Sequence, residues 1–311
     1  MHKIYGFTAM LTATLLWGFA FSAQSKGMDY TGPALFNTLR SATGFIALLI
    51  LCTVIEVWRK TSASGHTAAS NLSSGKYLIP GGILCGIALG IASNLQQMGL
   101  EFTTVGKTGF LTALYIIIVP VLGIFFKRRT SSSLWIAVLL ALSGTYLLCG
   151  GTDRIGKGEI LVIAASCVYS IHIMLIDHYI NKCDCLKMSC LQFATASVIS
   201  LILTIILGEA WILSKIYTAV PFILFCGIGS GAAAFTLQMV SQKYLHPVTA
   251  SLLMSLEAVF AVLGGWIFLG QTMNLHETAG CAIIFIAIIL TQIPFSNNKQ
   301  PTQTILKNNN N

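Results

Sequence analysis

Apolar residues fall along this chain in long continuous stretches, without the two-residue alternation of a half-buried strand. Ten stretches can be marked, at about 4–24, 32–58, 77–98, 105–126, 133–150, 158–178, 187–207, 217–239, 247–269 and 276–294, with short polar breaks between them. Crossing about 30 Å of hydrocarbon takes roughly 20 helical residues. Strands of a membrane barrel would alternate and run about 10 residues each. The pattern therefore predicts an all-α integral membrane protein with ten transmembrane helices. Met1-His2-Lys3 ahead of the first apolar run resembles the start of a signal peptide. No small-x-small cleavage site follows it, so the run reads as a retained first helix.

The ten stretches form two runs of five that repeat one another. Trp17 falls on Tyr169 and Arg40 on Gln192 at an offset of 152. Leu95-Gln96 falls on Leu237-Gln238, and Ala113-Leu114-Tyr115 on Ser255-Leu256-Glu257, at an offset of 142. One longer loop in the first half accounts for the difference, and residues 61–75, rich in small polar types, supply it. The expected organisation is a first five-helix repeat over residues 1–150, a second over 157–294, and a disordered cytoplasmic tail over 295–311. Five crossings is an odd number, so the second repeat enters the membrane from the opposite side. Inverted repeats of this kind supply two walls around one central site and two pseudo-equivalent states.

Composition agrees with lipid as the solvent. Of 311 residues 55% are hydrophobic and only 9% charged, against about 25% charged in soluble domains; the mean hydropathy is +0.79. With the N-terminus inside, twelve Lys and Arg fall on the cytoplasmic side and six outside, so both termini are expected in the cytoplasm. The net charge of +8 is thus a topology signal. The Lys127-Arg128-Arg129 run reads as a helix-end stop, and no folded basic face suggests a nucleic-acid partner. Cys183, Cys185 and Cys190 cluster before the seventh stretch, in a spacing that matches no common zinc site. They read as structural thiols, and no metal or other cofactor is expected.

Several segments, in this order, resemble the EamA-type transporters of the drug/metabolite transporter superfamily. They are Leu16-Trp17-Gly18, Arg40, Gln96 through Thr104, Gly109 through Tyr115 and on to Pro120, Leu256-Glu257-Ala258-Val259-Phe260, and Leu269-Gly270-Gln271. The family usually carries Pro where this chain has Ala258, and Glu where it has Gln271. These departures bear on the bend and the exit charge of the ninth stretch. The resemblance implies a secondary carrier in the cell (inner) membrane, working in the efflux direction. It also implies a central site lined by the first, third, fourth, sixth, eighth and ninth helices.

Glu257 is the only acid in the middle third of any predicted helix. An ionised carboxylate there costs roughly 3 kcal/mol on insertion scales. It is a candidate for substrate amine and proton binding, or else a protonated acid that bonds two helices. Tyr115 is its counterpart in the first repeat and can donate to it or stack on substrate. Gln96 and Gln238 correspond to each other, and with Asn94 they carry amides that can either bind substrate or join helices. Trp17 and Tyr169 sit mid-helix, away from the interfacial belts. His172 lies one turn after Tyr169 and could relay protons to Glu257. Pro120 is a candidate hinge. Arg40 and Lys107 lie near the outer helix ends and could snorkel.

This polarity suits a small polar metabolite such as an amino acid better than a phosphorylated solute, because no cluster of buried basic residues is expected. An intramembrane enzyme would need paired acids, a Ser/His set or a metal motif, and none is found; nor is an ATP-binding loop. The alternative is a non-transporting membrane sensor or scaffold. The expected partners are a small-molecule substrate and the lipid bilayer, with a homodimer left open.

Overall fold

The computed structural model describes residues 2–62, 75–125, 132–148, 155–245 and 247–290. Most of the polar loop over 61–75, the Lys127-Arg128-Arg129 run and the tail over 295–311 lie outside the described residues. Every regular element described is helical. In chain order they are α1 (His2–Met28), α2 (Pro33–Ser62), α3 (Gly75–Leu100), α4 (Val105–Thr112), α5 (Tyr115–Phe125), α6 (Ser132–Leu148), α7 (Lys157–Tyr179), α8 (Cys185–Ile206) and α9 (Leu213–Leu224). A π-helical segment (Phe225–Ala234) follows, then α10 (Phe235–Tyr244), α11 (Pro247–Met254), α12 (Leu256–Leu269) and α13 (Leu275–Leu290).

Among the described residues, seven stretches are long and apolar enough to cross a membrane: Ile4–Met28, Pro33–Trp58, Lys76–Leu100, Val105–Gly123, Lys157–Tyr179, Cys185–Ile206 and Leu213–Tyr244. Leu256–Leu269 and Leu275–Ala287 are shorter apolar helices. Burial is reversed relative to a water-soluble fold. Asn37, Gln97, Gln192 and Gln238 have no exposed surface, whereas Leu213 is 80% and Ile206 73% exposed. An outer surface of bare Leu, Ile and Phe beside a polar interior is stable only where the surroundings are themselves apolar.

Polar side chains placed at helix ends by the short loops satisfy the orphan backbone groups there. Asp184 accepts from the amides of Leu186 and Lys187 and starts α8. Glu209, distant in sequence, accepts from Ala34 and Leu35 and starts α2. Asn274 and Glu277 cap one another reciprocally at the head of α13. Gly270 takes a left-handed φ of 64° and ends α12, a conformation that costs glycine nothing.

The core comes from close helix pairs. α3 lies against α7 and α8, and α2 against α8. α1 lies against α10, the π-helical segment and α12, and α6 against α13. The glycines of α3 permit this approach: a Cβ on Gly86 would fall 2.7 Å from the Gln192 carbonyl oxygen, and one on Gly82 would fall 2.6 Å from Leu191. Cys183 and Cys185 pack with Cys85, Met188 and Met239 in a small apolar cluster between α3, α8 and α10.

Candidate substrate cavity

Two helices break at corresponding places. α4 ends at Thr112 and α5 begins at Tyr115; α11 ends at Met254 and α12 begins at Leu256. Ala113 and Ser255 are 142 residues apart, the offset of that part of the repeat. At the first break, Leu114 donates to Leu111 and Ile116 to Ala113, and at the second Ala258 donates to Ser255. These bonds span three residues where a regular helix spans four, which tightens the turn and redirects the axis. Neither break holds proline or glycine. Pro120 lies inside α5, which runs through it to Phe125. The irregular turn of this crossing lies at Ala113–Leu114, one to two turns before the candidate hinge.

Tyr115 and Glu257 stand just beyond the two breaks and meet. The Tyr115 hydroxyl donates to Glu257 Oε1 at 2.7 Å, and both side chains are buried. They share the wall of a cavity holding about 610 Å³ of empty space, mouth included. Seven pairs of repeat counterparts line it together: Trp17 with Tyr169, Phe21 with Ile173, Ser41 with Phe193, Ser93 with Phe235, Gln96 with Gln238, Thr112 with Met254, and Tyr115 with Glu257.

The paired positions bond in related ways with different chemistry. Gln96 Nε2 donates to the Thr112 hydroxyl at 2.9 Å, and Gln96 Oε1 accepts from Tyr169 at 3.2 Å. Its counterpart Gln238 reaches the Met254 sulfur at 3.8 Å, a weak acceptor, and among the described residues its Oε1 has no partner. Trp17 donates its indole N–H at 3.0 Å to the carbonyl of Ser230, inside the π-helical segment, and packs edge-on to Phe235. A π-helix has a shifted hydrogen-bond ladder and often marks a functional site.

Six more of the candidate residues can be placed. His172 lines the cavity, but its Nε2 pairs with Gln192 at 3.1 Å rather than with Glu257. A direct relay between His172 and Glu257 is thus not built. Asn94 does not line the cavity; it donates to Gly90 and to the Ser200 hydroxyl at 2.7 Å and accepts from Asn37. Arg40 differs most from its expectation as a snorkelling residue. It is 8% exposed, lines the cavity, and donates through Nε to Asn37. Its place some 10 Å into α2, at 1.5 Å per residue, already put it past the helix end. Lys107 instead pairs with Glu277 at 2.8 Å. Gln271 accepts from the Val105 amide at 3.0 Å and so caps α4 without an exit charge. Ala258, where the resembled family carries proline, lies in the first turn of α12 and donates its amide to Ser255.

The lining extends beyond the six helices expected, because Arg40 and Ser41 of α2 and Phe193 of α8 also reach it. Gln24, Ser93, Thr112 and Ser230 also contribute. Of these, Thr112 was the most accessible to sequence reasoning, lying 16 residues from Gln96 as Met254 does from Gln238.

The chain as a whole is similar to known proteins. An uncharacterized transporter of Archaeoglobus fulgidus is 24% identical over 299 residues, covering 94% of this chain and 87% of that protein. The uncharacterized transporter YoaV of Bacillus subtilis is 22% identical over 297 residues, covering 93% and 97%. A solved crystal structure superposes with a TM-score of 0.63 at 17% identity, covering 94% of this chain and 96% of that one, a likeness of fold. The model of the EamA-like transporter family matches residues 4–150 and 156–293. The chain is a multi-pass membrane protein and belongs to the EamA-like transporter family.

Proposed function

We propose that the chain is a non-enzymatic secondary carrier that exports a small polar metabolite, such as an amino acid, by alternating access. The observation that carries this reading is the Tyr115–Glu257 bond at the cavity wall, formed between counterpart residues that follow two corresponding helix breaks. A bond between counterparts lies at a pseudo-two-fold axis. A cavity on such an axis belongs equally to an inward-open and an outward-open form.

The full architecture under this reading is ten crossings in two inverted halves, with both termini cytoplasmic in the cell membrane. α4 with α5, and α11 with α12, each make one broken crossing. Helix packing supports the exchange of halves. Swapping counterparts carries the α3–α7 contact into that of α1 with α10 and the π-helical segment, while α2–α8 and α6–α13 map onto themselves.

Glu257 is the coupling residue in this mechanism. In one state it holds a proton and Tyr115; in the other it exchanges the proton for a substrate amine. The test is flux in proteoliposomes under an imposed pH gradient. Wild type is expected to concentrate its solute with the gradient. Glu257→Gln should keep the fold but lose the pH-driven accumulation. Unchanged pH-driven accumulation in Glu257→Gln would rule out proton coupling at this residue.

A further inference from the structure

The repeat is broken at one charged position. Arg40 on α2 corresponds to Gln192 on α8, yet the two side chains are used differently. Gln192 is spent on His172, whereas Arg40 faces the cavity. Its Nε donates to Asn37, and among the described residues its two terminal nitrogens donate to no protein acceptor. Lys and Glu pairs elsewhere, such as Lys107 with Glu277, are closed. Arg40 as a residue is over nine-tenths buried, and a cation so placed, with its bidentate end open to the cavity, is costly unless something anionic joins it.

The fork is also held in place. Asn37 Oδ1 receives the Arg40 Nε, and Asn37 Nδ2 donates to Ser93 O at 2.9 Å and to Asn94 Oδ1 at 3.3 Å. Asn94 in turn donates to Ser200 at 2.7 Å. The four side chains are buried and join α2, α3 and α8. Orienting a side chain by its Nε leaves the two terminal nitrogens parallel and free, the arrangement that takes both oxygens of one carboxylate.

We propose that Arg40 is the carboxylate-binding residue of the cavity, and that Asn37 and Asn94 position it. The inference rests on the carrier reading above and narrows its substrate class. Among the described residues, Arg40 is the one permanently cationic side chain in the lining, and Glu257 is the one acid. One positive and one acidic group fit the two poles of a zwitterion: carboxylate at Arg40, ammonium at Glu257. A phosphate monoester, with about two negative charges, would meet a single guanidinium and be repelled by the acid. The assignment also places the first half's charge and the second half's acid at counterpart-independent positions, so the bound solute has one orientation.

The test uses the purified full chain in detergent, with each of the twenty common L-amino acids and its α-carboxamide as probes. Thermal melting with and without probe is read for wild type, Arg40→Gln and Arg40→Lys. At least one amino acid should raise the wild-type midpoint, and its carboxamide should bind about tenfold or more weakly, the loss typical of one charge-assisted hydrogen bond. Arg40→Gln should lose the shift while melting, without probe, at the wild-type temperature or above it, because an unpaired buried charge has been removed. Arg40→Lys should recover part of the shift. A purely structural arginine gives the opposite pattern, with a lower unliganded midpoint in Arg40→Gln.

The proposal is overturned if no amino acid stabilises wild type, if the carboxamide matches the acid, or if Arg40→Gln keeps the shift. Proteoliposome flux separates this from the carrier reading. Amino acids that bind through Arg40 but never cross would defeat the carrier and leave the carboxylate site standing. Transport confined to solutes without a carboxylate would defeat the site and leave the carrier.

Discussion

Gly18 is where α1 comes closest to the helix that carries Glu257. A Cβ added there would lie 2.2 Å from the Phe260 Cβ, 2.8 Å from the Glu257 carbonyl oxygen and 2.9 Å from the Phe260 carbonyl carbon. Ordinary contacts begin near 3.4 Å, so Gly18→Ala falls short by about 1 Å. Two of the three neighbours are backbone and the third is a Cβ, so none can swing aside, and α1 and α12 must part. Overpacking of this kind costs about 1–3 kcal/mol, here at the upper end. Replacing a helical glycine by alanine returns about 1 kcal/mol. The net loss is about 2 kcal/mol, roughly 3 °C in melting midpoint for a chain of 311 residues.

Gly229 is the control. The same Cβ there has nothing nearer than 3.7 Å, so Gly229→Ala should melt at or slightly above wild type. The assay is thermal unfolding of the purified variants in detergent, beside flux in proteoliposomes. Gly18→Ala should lose flux as well as stability, because the separation displaces Glu257 from Tyr115. Gly18→Ala melting with wild type would refute the close approach of α1 and α12 on which the cavity wall depends.

Two further substitutions test single hydrogen bonds. Tyr115→Phe removes the donor to Glu257, a bond worth about 0.5–1.5 kcal/mol to the protonated acid. Proton-driven flux should fall several-fold while the protein stays folded by size-exclusion chromatography; wild-type flux would show the bond to be incidental. Thr112→Val keeps the shape but leaves Gln96 Nε2 without its acceptor, costing about 1–3 kcal/mol. A lowered melting midpoint is expected, and an unchanged one would mean that Gln96 finds another partner.

How much of this was legible in the sequence depends on the kind of signal. The offset of 142 that joins Gln96 to Gln238 and Tyr115 to Glu257 carried directly into the cavity, where both pairs share one wall. Duplicated polar residues in an apolar helix have few uses, and two helices facing across an axis can put both copies in one place. The helix breaks were not legible, because Ala113-Leu114 and Ser255-Leu256 carry no helix-breaking residue. Sequence reasoning placed the hinge at Pro120 for its missing N–H, whereas the chain tightens upstream. The ten-residue π-helical segment was equally silent; a Cβ would crowd a neighbour at its Gly227 and Gly231 but not at Gly229.

Arg40 was misplaced for a different reason. Distance from a helix end says that a long side chain could reach water, but not which way it turns. The direction is set by Asn37, one turn before it, which is held in turn by α3. Long-range partners of that kind leave no trace in one helix's periodicity. The same holds for Gln271, whose role as the cap of α4 depends on a loop 166 residues away.

The most direct test of the carrier mechanism is metabolite profiling of medium and cell extract, in cells producing the wild-type chain or Glu257→Gln at matched membrane levels. Export by wild type alone of one class of small zwitterionic metabolite is the expected result. Equal export by both would contradict the role given to Glu257, and no movement of any metabolite by wild type across a broad panel would contradict export itself.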